Sequence, residues 1–144
     1  MDALKLVALD EEDLKIVSAH TQDAVMKVAD LEYFARDKRF VAAMNRFAWE
    51  ESSGFFKRRN ERRRSVLHFE SVQGVKTAGI VRDNPDEVLS LLAVRFQSGE
   101  APAGVIELIF SGGGVVRLEV EYIEARMADL GAAWQASSRP AHKD

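Results

Sequence analysis

The most distinctive chemical feature of this chain is one short basic run. Residues 57–64 hold six cations and one acid, whereas the rest of the chain holds 14 cations and 22 acids. Arginine binds phosphate and carboxylate groups through paired N–H donors, and concentrated positive charge attracts an anionic partner. Two aromatic residues precede the run and offer stacking or an apolar anchor. The candidate binding residues are therefore Phe55, Phe56, Lys57, Arg58, Arg59, Arg62, Arg63 and Arg64.

The same run has a simpler interpretation as a solvated loop between strands. The segment Glu51-Ser52-Ser53-Gly54 interrupts the apolar pattern before it, so residues 51–64 are expected to form a connection. A charged loop keeps an acidic protein soluble and protects strand edges, and acids of the same fold can neutralise it. We weigh this interpretation ahead of binding, and the sequence does not say which anion a binding loop would take.

The histidines do not form a recognisable metal or catalytic motif. His20, His68 and His142 are scattered along the chain, whereas a zinc site needs several ligands brought together. His20 lies three residues before Asp23, and His68 shares a predicted strand face with Glu70. Neither pair completes a site. With no cysteine in the chain, disulfides and thiolate chemistry are excluded, and we predict no catalytic residue, no metal and no cofactor.

The acidic and glycine-rich segments are also interpreted as structural. Glu119, Glu121 and Arg117 share one strand face, with Glu107 across the hairpin, which indicates a solvated, charge-balanced sheet surface rather than a catalytic acid pair. Three consecutive glycines at 112–114 suggest a phosphate cradle, but no Gly-Lys-Ser/Thr follows and an alternating strand does. A hairpin turn, which uses glycine where φ is positive, explains them better.

Most of the chain has strand-like patterning. Asp10 and the acids after it predict the start of a helix over 11–22. Apolar alternation or β-branched composition predicts strands at 4–9, 25–35, 39–50, 65–72, 75–81 and 88–97, and a hairpin of 105–110 with 115–122. Short polar turns favour antiparallel neighbours. We expect an α+β, antiparallel β-rich single domain: a curled barrel or sandwich of about six to seven strands, pleckstrin-homology-like by analogy, with a helix near each end.

The C-terminal part allows two interpretations. The apolar parity changes at Tyr122-Ile123, so residues 123–130 form either a bulged strand or a short helix. We favour the helix, ending at Gly131 and closing the barrel. The domain is expected to span residues 1–136, followed by a disordered polar tail at 137–144.

Three stretches together resemble a known family. They are residues 45–50 (Asn-Arg-Phe-Ala-Trp-Glu), residues 62–80 around Phe69-Glu70-Ser71-Val72, and residues 110–134 with Glu124-Ala125-Arg126-Met127-Ala128-Asp129-Leu130-Gly131. The sequence resembles a family of small alphaproteobacterial proteins described as a domain of unknown function, over nearly the whole chain. The resemblance implies a cytoplasmic bacterial protein, and it supplies no functional residues.

The resulting hypothesis is a non-enzymatic binding or adaptor module. It would engage an acidic partner, meaning an acidic protein, a phosphate-bearing ligand or a nucleic acid, through the basic loop. The net charge of −3 does not favour nucleic acid, and no apolar stretch is long enough to span a membrane. A structural homo-oligomer and an enzyme whose site forms only in three dimensions are the alternatives. The start of the chain is unlike a secretory signal, so the expected location is the cytoplasm.

Overall fold

In the part of the chain that the structure describes, one α-helix packs against an antiparallel sheet. The computed structural model describes residues 4–51, 58–81 and 83–130, and for residues 48–51 and 58–61 it describes the backbone alone. Helix α1 (Glu11–Thr21) begins as predicted, because the Asp13 N–H donates to Oδ1 of Asp10 at 2.8 Å. Acids in its first turn complement the positive end of the helix dipole. Leu14, Val17 and Thr21 form its buried face.

Within the described residues, ten strands form one sheet. Every pairing is antiparallel, in the order β1-β10-β5-β4-β2-β7-β8-β9-β6, with β3 paired to β4 on a branch. Since β1 and β6 end this order, the sheet is not closed. The strands are β1 (Lys5–Ala8), β2 (Val25–Lys27), β3 (Leu31–Phe34), β4 (Arg39–Glu51), β5 (Arg58–Phe69), β6 (Val72–Ala78), β7 (Val88–Ser98), β8 (Gly104–Phe110), β9 (Val115–Val120) and β10 (Ala125–Asp129).

The core lies on one face of this sheet. Alternate residues of β4 and β5 are buried, as expected where one face meets an apolar interior, and α1 packs against β7, β1 and β4. The buried residues form one continuous hydrophobic cluster. The predicted α+β, antiparallel β-rich class is confirmed. The largest fully buried side chains include Phe69, Phe110, Leu14, Met44, Leu67, Leu91, Ile106, Leu108, Leu118 and Met127.

The glycine-rich hairpin also forms where the sequence predicts it. β8 and β9 pair from Gly104 with Val120 to Ile109 with Val115. Gly112 and Gly113 connect them at φ 85° and 97°, a backbone region that glycine enters without the steric cost of a side chain. The interpretation of this segment as a turn is therefore confirmed.

The basic segment is not a loop. Residues 58–64 belong to β5, which pairs with β4 without interruption from Arg58 opposite Glu51 to Phe69 opposite Phe40. The predicted connection over 51–64 is thus wrong for residues 58–64. Successive side chains of a strand leave on opposite faces, so neighbouring arginines are separated, and their mutual repulsion does not prevent the strand from forming. Phe55, Phe56 and Lys57 lie outside the described residues.

The predicted helix at 123–130 is wrong. Residues 125–129 form β10, which pairs with β5 on one side and β1 on the other. The change of apolar parity at Tyr122-Ile123 marks the passage from β9, in one part of the sheet, to β10 in another. The described residues therefore contain one α-helix, near the N-terminus, and ten strands rather than six or seven. The predicted tail at 137–144 lies outside the described residues. No helix of the described part has the length and apolar content to cross a bilayer.

Candidate functional site

A broad outer face is formed by the five neighbouring strands β1, β10, β5, β4 and β3. In each strand every second residue points away from the core, and the registers place these residues side by side. One row across the sheet, for example, runs Val7, Arg126, His68, Val41 and Glu32. We call this surface the outer face. Its residues are Lys5, Val7, Glu32, Phe34, Arg39, Val41, Ala43, Asn45, Phe47, Arg62, Arg64, Val66, His68, Arg126 and Ala128.

The outer face combines positive charge with an apolar centre. Five of its fifteen residues are cations and one, Glu32, is an acid. Three of these cations, Arg39, Arg64 and Arg126, also pair with acids that flank the face, which are Glu70, Asp30 and Glu124. Its small aliphatic side chains are contiguous at the middle of the sheet, whereas the cations surround them. All fifteen side chains are exposed or half-buried, and Val7 is 49% exposed. The face is therefore accessible and electrostatically distinct from a chain with net charge −3.

The predicted binding arginines fall on both sides of β5. Arg62 and Arg64 lie on the outer face: the guanidinium of Arg62 stands 5.1 Å from the ring centroid of Phe47, and Arg64 lies 3.6 Å from Asp30. Arg63 points into the protein and is 4% exposed, so it does not belong to the outer face. Arg58 and Arg59 lie in the same strand.

A polar hollow of about 440 Å³ lies at one end of the outer face. The Nε–H of Arg39 donates to Oε2 of Glu70 at 2.8 Å, and the Nδ1–H of His68 donates to the same oxygen at 2.7 Å. Burial acts to raise the pKa of Glu70, but the hydrogen bonds from Arg39 and His68 outweigh it and hold that pKa below its usual value. Arg126 pairs similarly with Glu124 at 3.0 Å.

These ion pairs orient the cations without covering them. Arg39 and Arg126 remain about half exposed, and each guanidinium has five N–H donors, of which the pair uses a minority. The carboxylate also fixes the ring of His68, which leaves Nε2 as its other polar atom. Among the described residues no three side chains of the types that bind metals come together. The hollow is thus suited to polar recognition.

A second polar cluster is buried beneath the sheet. Asp129 accepts hydrogen bonds from Nε and Nη2 of Arg46, both at 2.8 Å, from the Ser65 hydroxyl at 2.5 Å and from the Leu4 N–H at 3.0 Å. Burial acts to raise the pKa of Asp129, but these hydrogen bonds and the charge of Arg46 together lower it to about 2. The cluster joins β4, β5 and β10 to Leu4, the residue before β1, so its role is structural.

We expect this cluster to make the free energy of unfolding depend on pH in the acidic range. The pKa of Asp129 is depressed in the folded protein from an ordinary value of 3.8 to about 2. Its contribution to stability is therefore fully present above pH 4 and is lost as pH falls toward 2, a change of about 2 kcal/mol. Urea unfolding of the wild type and Asp129→Asn across this range should show the difference between them narrowing at low pH. A constant difference would contradict the assignment.

His20 adds a separate effect at higher pH. Burial and the nearby charge of Arg46 lower the pKa of His20, whereas the carboxylate of Asp129 acts to raise it. The net shift is downward, so protonation of His20 opposes folding below its ordinary pKa of 6.5. Asp129→Asn removes the charge that raises the pKa of His20, so the His20 contribution differs between the two proteins. The comparison is therefore made with His20→Gln in both proteins, which removes this contribution.

The carboxylates of the β8–β9 hairpin are paired as the sequence indicates. Arg117 Nε donates to Glu107 Oε2 at 2.9 Å, and Lys76 lies 3.5 Å from Glu119. Lys76, Arg117, Glu107 and Arg95 are directly opposite one another across β6, β9, β8 and β7. We call this surface the second face. Glu119 and Glu121 are partly exposed on it, as a solvated sheet surface requires, whereas Glu107 is buried at 8% exposure and is neutralised by Arg117.

Sequence reasoning missed the cations that come from other strands. Lys5, Arg39 and Arg126 join Arg62 and Arg64 only through strand pairing, and nothing in their local sequence indicates it. The buried cluster did leave a signal: Arg46 and Asp129 each occupy the parity of buried apolar neighbours, Met44 and Met127. A charged residue at such a position needs a partner of opposite charge.

Comparison with known proteins identifies a family. No curated protein and no solved structure matches the chain. A family model described as "Protein of unknown function (DUF2948)" matches residues 4–142, which agrees with the family resemblance of the sequence. Because this match covers nearly all of the 144 residues, the chain belongs to the DUF2948 family of proteins of unknown function.

Proposed function

We propose that this protein is a non-enzymatic binding module whose outer face docks on an acidic protein surface. The observation that carries the proposal is the arrangement of five partly exposed cations around an aliphatic centre on five adjacent strands. Acids that flank the face orient three of these cations and leave their guanidinium groups accessible. Protein interfaces combine an apolar centre with a polar rim and are enriched in arginine. Complementary charge would speed encounter and select an acidic partner.

The composition of the centre favours a protein over a nucleic acid. Single-stranded nucleic acids bind where bases stack on exposed aromatic rings, but the middle of the outer face consists of Val41, Ala43, Val66 and Ala128. Phe47 is half-buried and lies beside the Arg62 guanidinium, while Phe34 lies at the margin. Small aliphatic side chains instead suit the apolar contacts of a protein partner.

The dimensions of the face support a weak, transient complex. Five strands at about 4.8 Å spacing are about 20 Å wide, and the outward residues 39–47 of β4 extend about 27 Å. This area is smaller than the roughly 800 Å² that each partner contributes to a standard interface. We therefore expect affinity to depend on ionic strength and on few residues.

The test is binding of fluorescently labelled poly-L-glutamate, followed by anisotropy at low and at physiological ionic strength. Arg62→Ser/Arg64→Ser should weaken binding at low salt about tenfold, which corresponds to about 1.4 kcal/mol, and should flatten its salt dependence. Arg63 is left unchanged because it is buried, and its replacement would test folding rather than binding.

The matched control is Lys76→Ser/Arg95→Ser. It removes the same charge from exposed positions on β6 and β7, away from the outer face, and should leave binding within about twofold. Equal weakening by both double variants would show that only net charge matters and would overturn the proposal. So would tighter binding of a thymidine oligonucleotide of matched charge, which would point to nucleic acid as the partner.

The proposal includes a cytoplasmic location in an alphaproteobacterium. It is supported by the mildly acidic, cysteine-free composition and by the family resemblance of the sequence. Fractionation of cells expressing the untagged chain from its own promoter, with detection by antibody, would test the location.

A further inference from the structure

A cavity of about 420 Å³ opens between β3 and β6, on the inner side of the sheet. Within the described residues β3 pairs with β4 and β6 pairs with β9, and neither has a second partner strand. The cavity therefore lies at a gap between two strands that are not paired with each other. Its walls include Leu31 and Tyr33 of β3, Phe40 of β4, Val75 and Thr77 of β6, and Val116 of β9.

Two hydrogen bonds hold one end of this opening together. The Tyr33 hydroxyl donates to the Val72 carbonyl at 2.8 Å, and the Val72 N–H donates to the Lys38 carbonyl at 2.8 Å. Beyond Val72 the two strands are not paired with each other, and the cavity occupies the space between them. The opening is thus fixed at one end by the fold, which suits a preformed site.

The lining determines what kind of molecule fits. Among the described residues that line the cavity, none carries a charge at neutral pH, and most are aliphatic or aromatic. The polar side-chain groups are the Thr77 hydroxyl and the Tyr33 hydroxyl, which keeps its acceptor lone pairs while it donates to Val72, and polar atoms of the backbone also line the cavity. An isolated carboxylate or ammonium would lose its hydration here without a partner of opposite charge. The volume is within the usual range for small-molecule sites.

We propose that this cavity binds an uncharged small molecule with an apolar body and one or two hydrogen-bonding groups. The site is independent of the outer face, because alternation in β3 and β4 separates the two surfaces. Tyr33 and Phe40 point inward to the cavity, whereas Glu32, Phe34 and Val41 point outward. One proposal can therefore fail while the other holds.

The test uses Nile red, a neutral apolar dye, with the full-length chain. The wild type should bind it saturably, with one dye per chain and increased dye fluorescence. Val75→Trp places a large ring in the cavity and should weaken binding at least about tenfold. The control Lys76→Trp adds the same ring at the next residue, which is exposed on the opposite face of β6, and should retain binding.

A second measurement does not depend on the folding of a variant. In methyl NMR spectra of the wild type, Nile red should shift the signals of Leu31, Val75 and Val116, which line the cavity, and leave those of Val7 and Val41 on the outer face unchanged. Absence of saturable binding, binding unaffected in a folded Val75→Trp, or shifts confined to the outer face would each overturn the proposal.

Discussion

Replacement of Asp129 by alanine is expected to lower the free energy of unfolding at pH 7 by about 3–5 kcal/mol. The side chain of Asp129 is inaccessible to solvent, and that of Arg46 is 8% exposed. Without the carboxylate, the guanidinium would remain buried beside a Ser65 hydroxyl and a Leu4 N–H that also lose their acceptor. Urea unfolding followed by circular dichroism measures the loss.

Glu124→Ala is the matched control for this prediction. Glu124 also pairs with an arginine, Arg126, at 3.0 Å, but Arg126 is half exposed to solvent. Water can replace the lost partner, so the expected cost is below about 1 kcal/mol. If Asp129→Ala and Glu124→Ala lowered the free energy of unfolding by similar amounts, burial of the Arg46–Asp129 pair would not explain the loss.

A double variant separates charge burial from packing. Arg46→Met/Asp129→Leu removes both charges and keeps apolar volume, so it should be more stable than Asp129→Ala although it changes two residues. If the double variant were the less stable of the two, the loss in Asp129→Ala could not be attributed to an unpaired arginine.

Replacement of Phe69 by alanine is the other change with a large expected effect, again about 3–5 kcal/mol. Phe69 is completely buried and lies opposite Phe40 of β4 and Ala125 of β10. Removal of its ring leaves a cavity at the point where three strands meet, and backbone hydrogen bonds on both sides limit how far these strands can move to fill it. The measurement is the urea midpoint, with the slope of the transition checked for change.

The control for Phe69 is Val66→Ala on the same strand. Val66 is half-buried on the outer face, so its truncation opens a space that water can enter, and the expected cost is below about 1.5 kcal/mol. This contrast tests the strand assignment itself. If the two variants cost the same, the alternation of inner and outer residues along β5 would be wrong.

The outer face can be predicted only in part from the sequence. The basic run is visible in the sequence, but its division into outward Arg62 and Arg64 and inward Arg63 follows from the pairing of β5 with β4. Lys5, Arg39 and Arg126 come from three other strands. A charge count over eight residues therefore finds the segment, but it gives neither the extent of the surface nor its apolar centre.

Local sequence was sufficient to predict the helix and the β8–β9 hairpin. The helix over 11–21 is predictable because Asp10 caps its first turn and acids match its dipole, all within four residues. The β8–β9 hairpin is predictable because glycines allow the turn and alternation fixes one buried face. In both cases the stabilising contacts join residues that are near in sequence.

Tertiary structure alone decided the rest. Residues 123–130 have apolar spacing that fits a helix or a strand, and β10 forms because the edge of β5, some 60 residues earlier, and β1, at the start of the chain, supply its hydrogen-bond partners. The same holds for residues 58–64, where β4 supplies the partner strand. Buried backbone N–H and C=O groups must be hydrogen-bonded, but the local sequence does not indicate which distant strand supplies their partners.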